Sequence, residues 1–142
     1  VIFGSRTGAE AFMSGMLRML RAQYTNNDSA GLNSIYYART VKGNDIIQRA
    51  TWFLFDYEND NREPTYRRTN FTWNFSYDVI NQANSFINGV AASELSDLDK
   101  KELIGQGKVL RALFYFQLAM EFQHTYTYDA SYQLLLFILS YL

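Results

Sequence analysis

The sequence of 142 residues contains no cysteine and carries almost no net charge. Without cysteine the chain has no disulfide framework, no thiolate metal site and no cysteine nucleophile. The 13 Lys and Arg residues nearly balance the 14 Asp and Glu residues, so the formal net charge is −1. This balance removes the strong basic field that general nucleic-acid binding requires. We therefore expect no nucleic-acid partner.

Histidine and long apolar runs are also scarce. His124 is the only histidine, so no zinc site built on histidines can be assembled, and we interpret it as a residue at a helix end. No apolar run reaches the roughly 18 residues of a membrane-spanning helix, and the first six residues lack the layout of a signal peptide. Val and Ile are scattered rather than alternating, which argues against a β-sheet.

Aromatic residues, by contrast, are abundant. The chain has 11 Phe, 11 Tyr and 2 Trp, which together make up 17% of its residues. This content exceeds what a small core needs, so we expect some of these rings at the surface. Exposed Tyr and Trp side chains are typical of a surface that binds a ligand or a partner.

Apolar residues recur at helical spacing in four segments. They predict helices over residues 7–24, 33–42, 70–90 and 96–123, and hence an all-α chain of antiparallel helix pairs. Trp73 lies on an apolar stripe of the third helix and is predicted to be a core residue.

Residues at or inside the helix ends refine this prediction. Gly43 is placed to end the second helix in a left-handed conformation. Ser96 and Asp99 have the spacing of a capping box at the start of the last helix. Gly105 and Gly107 lie inside that helix, and we expect another helix to approach them closely enough to offset their low helix propensity.

Residues 44–68 lose this periodicity and mix aromatic, amide and charged side chains. A loop longer than about 12 to 15 residues is usually functional or disordered. The aromatic content argues against disorder, so we interpret this segment, called the insertion below, as a functional loop.

Three segments carry a family resemblance. Residues 105–118, GQGKVLRALFYFQL, resemble a G-[EQ]-A-x-[FA]-L-R-A-x-x-Y-F-x-L motif, and residues 73–87 resemble a W-x-x-x-Y-x-x-I-x-x-[AC]-N-x-x-I motif. Residues 42–45 resemble the G-[DN]-D segment that precedes a long loop in the same proteins. In this order, the motifs are similar to those of the SusD/RagB family of outer-membrane nutrient-binding proteins.

The resemblance implies an all-α fold of tetratricopeptide-like helix pairs with a long insertion. Residues 1–142 would form a single domain, the N-terminal helical part of a longer protein, with an atypical tail at residues 131–142. It implies non-catalytic binding of glycans or other nutrients, with no cofactor and no metal, as in starch and polysaccharide utilization systems. It also implies a lipoprotein on the outward-facing side of the bacterial outer membrane, partnered by a SusC-like TonB-dependent transporter. The lipid anchor is not in this chain.

A glycan site needs an exposed aromatic ring to stack on a sugar face and polar groups to bond its hydroxyl rim. The insertion contains both kinds of side chain. We predict ring platforms at Trp52, Tyr57 and Tyr66, with polar partners at Asp45, Asn59, Asp60 and Arg67. A different interpretation of Trp52, Phe53 and Phe55 stays open, in which these rings pin the insertion to the helices.

Two other function classes fit parts of the sequence. Stacked helix pairs also serve as protein–protein interaction modules, and binding residues repeated along successive helices would favour that function. The carboxylates of the insertion have the chemistry of a glycosidase acid and base, but we interpret them as a solvated charge cluster. They also lack the spacing of a calcium-binding loop. These carboxylates are Asp56, Glu58, Asp60 and Glu63.

Overall fold

The chain is α-helical in a computed structural model that describes residues 2–21, 29–47, 49, 53–58, 63–125 and 127–128. Within these ranges there is a short 3-10 helix at Ile2–Gly4 and no β-strand, which confirms the predicted all-α fold. The helices are α1 (Arg6–Met19), α2 (Leu32–Thr40), α3 (Leu54–Tyr57), α4 (Arg67–Ala91) and α5 (Asp97–Phe122). None of them combines the length and the apolarity needed to cross a membrane.

The chain divides into two compact units. The terminal unit comprises Val1–Ser14 and Ser76–Leu142, and the central unit comprises Gly15–Phe75. Their boundaries fall inside α1 and α4. Every residue of the predicted glycan site belongs to the central unit.

In the terminal unit, α4 and α5 pack as an antiparallel pair. Arg111 Nη1 donates a hydrogen bond of 2.8 Å to Asn84 Oδ1, and Gly107 lies against Ile87. A later residue of α4 therefore contacts an earlier residue of α5, as expected for antiparallel helices. The buried residues that these two helices contribute to the core are Val79, Ile80, Ala83, Phe86, Val90, Leu103, Leu110, Phe114 and Leu118.

The close approach of the two helices depends on Gly107. A Cβ atom at this position would lie 2.8 Å from Ile87 Cγ1 and 3.0 Å from Phe86 Cδ1, closer than ordinary packing allows. The expectation for Gly107 is thus confirmed. The expectation for Gly105 is wrong, because a Cβ there would meet nothing within 4 Å.

The N-terminal part of α1 joins the same core through aromatic rings. The rings of Phe3, Phe12 and Phe86 form a cluster with centroid distances of 5.3, 6.0 and 5.9 Å. Their burial supplies apolar area and ring contacts together. They fix the start of the chain against α4.

Arg6 ties α1 to the beginning of α5 by charge. Its guanidinium bonds Glu10 at 2.8 Å, Glu102 at 3.0 Å and Asp99, and these hydrogen bonds hold the pKa of Arg6 above its usual range. Ser96 caps α5 by accepting from the Asp99 backbone N–H at 3.2 Å. The predicted helix start is therefore confirmed.

In the central unit, α1 ends at Met19, before the predicted limit at residue 24, which lies outside the described residues. The Leu20 N–H turns back to the Leu17 carbonyl at 3.2 Å, while the Leu20 carbonyl accepts from the Leu32 N–H at 3.0 Å. Once the chain bonds to the start of α2 in this way, α1 cannot continue.

Gly31 is the glycine with a positive φ, 68°, among the described glycines of this unit. It precedes α2, which ends at Thr40 with Val41 in a right-handed conformation. The predicted left-handed end at Gly43 is therefore wrong. The turn that needed a glycine lies before α2, where residues 29–32 return from α1, and not after it.

Candidate functional site

A small apolar cluster holds the insertion against α2. Phe53 is buried with Ala38 and Val41, and Ile46 packs against the three of them. The ring of Tyr37 meets the Phe53 ring edge-on at a centroid distance of 4.6 Å. Phe53 thus pins the insertion to the helices, as one interpretation of the sequence proposed.

A buried ion pair within the insertion lies beside this cluster. Asp56 on α3 is 1% exposed and Arg68 on α4 is 6% exposed, and Arg68 Nε donates to Asp56 Oδ2 at 3.4 Å. Arg68 Cζ also lies 4.7 Å above the centre of the Phe53 ring. A buried charge is tolerated when it is paired and hydrogen-bonded. The pair therefore joins the middle of the insertion to its C-terminal end, 12 positions apart in the chain.

The burial of Asp56 corrects the prediction that this carboxylate belongs to a solvated charge cluster. Its carboxylate is engaged by Arg68 inside the protein, so it cannot act as one member of an exposed acid and base pair. Glu58 and Glu63 are exposed, as expected for solvated charges. Asp60 lies outside the described residues.

Four of the predicted site residues lie within the described part of the insertion, close in sequence to the ion pair or to the apolar cluster. Tyr57 ends α3 next to Asp56 and is 37% exposed, and Arg67 begins α4 next to Arg68 and is also exposed. Asp45 is exposed beside Ile46, which packs on the cluster. Tyr66 is half-buried, with its ring 6.0 Å from the Phe55 ring in an edge-on contact. The ion pair thus brings together the segments that carry Tyr57, Tyr66 and Arg67.

The other three predicted site residues, Trp52, Asn59 and Asp60, lie outside the described residues, and their role stays a prediction. The described part already offers three complementary groups. A phenol ring can stack on a sugar, a guanidinium can donate to hydroxyls, and a carboxylate can accept from them. Tyr57, Arg67 and Asp45 supply these groups in turn.

Trp73 was missed as a surface residue, because the prediction placed it in the core. Its side chain is 45% exposed, while its neighbour Thr72 is buried together with Phe75 and Ser76. The buried face of α4 therefore runs through small polar residues beside the tryptophan. The signal that could have identified this face is amide spacing, since Asn70 and Asn74 flank Trp73 on the same side of the helix.

The amides beside Trp73 are ordered by each other. Asn74 Nδ2 donates to Asn70 Oδ1 at 2.8 Å, and both side chains are exposed. An exposed indole ring next to two oriented amides is a second combination of stacking and hydrogen-bonding groups in the central unit.

A family match covers nearly the whole chain. Residues 8–134 match the family model of SusD-like proteins described as "Starch-binding associating with outer membrane". This chain belongs to the SusD-like family. No curated protein gives a match to its sequence.

A solved structure shares the fold of this SusD-like chain. It is described as a SusD-like carbohydrate binding protein from Bacteroides vulgatus, and it matches with a TM-score of 0.80 at 22% sequence identity. The match covers 89% of this chain and 27% of that one. The SusD-like chain thus spans about a quarter of the length of the structure it resembles.

The two helical SusD-like motifs face each other in the terminal unit. Arg111 of the second motif donates to Asn84 of the first, so a hydrogen bond joins the two motifs. Burial raises the pKa of the Tyr77 phenol, and the nearby phenol of Tyr115 raises it further. Polar residues of the two motifs therefore interact with one another between α4 and α5.

The described part of the chain contains no group of three or more His, Asp or Glu residues that could hold a metal ion. His124 lies just after α5 and is exposed, with its ring stacked on Tyr128 at 4.5 Å. It therefore lies at a helix end, as predicted.

Proposed function

We propose that this SusD-like chain binds glycans without catalysing their reaction. The observation that carries the proposal is the family match over residues 8–134, because that family is described as starch-binding and associated with the outer membrane. We further propose that the chain acts at the outward-facing bacterial surface, held there by a lipid anchor in a longer protein. There it passes its ligand to a SusC-like TonB-dependent transporter.

We place the ligand on the insertion of the central unit. Tyr57 offers its ring to a sugar face, Arg67 donates to hydroxyl groups, and Asp45 accepts from them. Trp52, Asn59 and Asp60 belong to the same proposed site. Stacking and hydrogen bonding need no acid and base pair, so the site requires no catalytic residue.

The buried contact of Phe53, Asp56 and Arg68 favours binding because it reduces the entropy cost of ordering the insertion. Asp56, Arg68 and Phe53 are buried together, so the backbone just before Tyr57 and the first turn of α4 at Arg67 are held before a ligand arrives. A surface that is already ordered loses less conformational entropy on binding. Weakening the Asp56–Arg68 ion pair should therefore weaken glycan binding as well as reduce the stability of the chain.

Isothermal titration calorimetry with soluble starch and a panel of other plant and bacterial polysaccharides tests this proposal. We expect saturable binding of at least one polysaccharide. Tyr57→Ala should weaken it about fivefold, because an aromatic contact contributes on the order of 1 kcal/mol. Tyr128→Ala is the matched control, since Tyr128 is 75% exposed and lies outside the insertion. Equal affinities of the two variants would contradict the placement of the ligand.

One observation favours a protein–protein interaction module instead. Exposed rings are not confined to the insertion, since they also occur on α2, α4 and α5. In particular, α5 presents an exposed apolar stripe formed by Val109, Phe116 and Met120. A large exposed apolar stripe is typical of a protein contact.

Sedimentation velocity over a range of concentrations tests this second candidate. A protein-binding stripe predicts association that grows with concentration and is abolished by Phe116→Ser. A monomer at all concentrations, with the same behaviour in the variant, would leave glycan binding as the better supported function.

A further inference from the structure

The exposed face of α4 in the central unit carries its own ring and polar groups. Trp73 is the seventh residue of the 25-residue helix α4 and remains 45% exposed. A tryptophan is a large apolar side chain that is usually well buried. Its exposure leaves a wide indole surface facing solvent on a rigid element.

Two amides complete this face. Asn70 lies one turn before Trp73 on the helix, and Asn74 follows it directly. The 2.8 Å hydrogen bond from Asn74 Nδ2 to Asn70 Oδ1 fixes the rotamers of both side chains. The bond uses one N–H of the Asn74 side chain and one lone pair of Asn70 Oδ1. The side-chain atoms Asn70 Nδ2 and Asn74 Oδ1 are therefore oriented for a further partner.

Tyr66, a residue of the insertion, lies at the start of this segment. The Asn70 N–H donates to the Tyr66 carbonyl at 2.9 Å, so the helical geometry already includes Tyr66. Tyr66 directly precedes α4 and is seven positions before Trp73, a spacing of close to two helical turns or about 10 Å along the axis. Asn70 lies between them.

We propose that Tyr66, Asn70, Trp73 and Asn74 form an extension subsite that binds the continuing units of a linear oligosaccharide along α4. This inference rests on the proposed glycan binding and deepens it, because it assigns the exposed face of α4 to the sugar units that extend beyond the insertion. A span of two helical turns exceeds one sugar ring, so a monosaccharide cannot contact both Tyr66 and Trp73.

The polar neighbours of Trp73 favour a sugar over an apolar partner. An apolar partner would cover the two exposed amides without bonding them, and desolvating unpaired amides is costly. A sugar chain offers C–H faces to the indole and hydroxyl groups to the amides at the same time. The hydroxyls can accept from Asn70 and donate to Asn74.

A chain-length series tests the subsite. The full chain is titrated by calorimetry with the starch oligosaccharides maltose to maltoheptaose, and compared with Trp73→Ala. For the parent we expect affinity to rise with length. For Trp73→Ala we expect about a fivefold loss or more for maltoheptaose and little change for maltose, since one stacking contact is removed.

Two further variants keep the result interpretable. Trp73→Phe retains an aromatic ring and should keep most of the affinity for maltoheptaose, which guards against a general effect of substitution on the fold. Asn70→Ala should also weaken maltoheptaose binding selectively, because it removes a hydrogen-bonding partner without touching the ring.

The possible failures are distinguishable. If the parent binds the oligosaccharides but Trp73→Ala and Asn70→Ala bind maltoheptaose as tightly, the extension subsite is wrong and the proposed function stands. If the parent binds none of the panel of polysaccharides, the proposed function fails and the subsite fails with it. If the sedimentation coefficient of Trp73→Ala instead differs from that of the parent, the indole serves a protein contact and the subsite is overturned.

Discussion

The buried pair of Asp56 and Arg68 gives the sharpest prediction for stability. At an effective dielectric constant of about 20, two unit charges 3.4 Å apart attract by about 5 kcal/mol. Asp56→Asn removes that attraction and leaves a buried guanidinium without its counter-charge, which typically costs about 3–5 kcal/mol. Arg68 keeps its contact with the Phe53 ring, so we expect a loss of about 3 kcal/mol. That loss is a large fraction of the stability of a small domain.

Urea unfolding followed by far-ultraviolet circular dichroism measures this loss. The midpoint should fall while the dependence of the unfolding free energy on urea stays the same. The matched control is Glu10→Gln, which breaks the Arg6–Glu10 ion pair at the shorter distance of 2.8 Å. Both of its side chains are exposed, and water screens exposed pairs. The control should therefore lose much less stability than Asp56→Asn.

The reasoning is refuted if the two variants lose the same stability, because distance rather than burial would then decide. A double variant provides a further check. Asp56→Leu combined with Arg68→Met should recover most of the loss, since well-packed apolar residues replace buried pairs at little cost. Failure to recover would mean that the geometry around Phe53 depends on the charges themselves.

Three more predictions concern the terminal unit. Gly107→Ala should destabilise the chain by about 1–3 kcal/mol through overpacking against Ile87, whereas Gly105→Ala should stabilise it by up to about 1 kcal/mol; thermal unfolding of both variants compares the two. The Ser96 hydroxyl and then Arg6 hold the pKa of Asp99 below its ordinary value of 3.8. Stability should therefore fall as pH falls from about 3.8 through the lowered pKa, and Asp99→Asn should flatten that part of an acid titration of the unfolding midpoint. Burial raises the pKa of Tyr77 above its ordinary value of 10.0, so stability should fall as pH rises above 10, and Tyr77→Phe should remove part of that fall.

Much of the fold could be predicted because the apolar spacing and the capping residues of a helix are local features of the sequence. The apolar spacing of α4 and α5, and the Ser96 cap, depend on residues close together in the chain. The close contact at Gly107 was predicted from the low helix propensity of glycine, but the same argument failed at Gly105, where a Cβ would meet nothing within 4 Å. The prediction for Gly43 was wrong because the sequence does not show whether the turn before α2 or the turn after it requires a residue with positive φ.

The site was harder to predict because burial depends on partners that are distant in sequence. Trp73 shares its helix with a buried face that runs through Thr72 and Ser76, and apolar periodicity alone favours the tryptophan for the core. Asp56 reads as one of several loop carboxylates until Arg68 is placed beside it. Pairing across the insertion is a tertiary property, so local sequence could not assign it.

Tryptophan fluorescence during titration with the polysaccharide panel tests glycan binding by this SusD-like chain most directly. The chain has two tryptophans, so Trp73→Phe leaves Trp52 as the reporter of the insertion and Trp52→Phe leaves Trp73 as the reporter of α4. We predict a saturable change in the parent that persists in Trp73→Phe, which would place the ligand at the insertion. The absence of any saturable change, in a sample that still unfolds cooperatively, would contradict glycan binding by this chain.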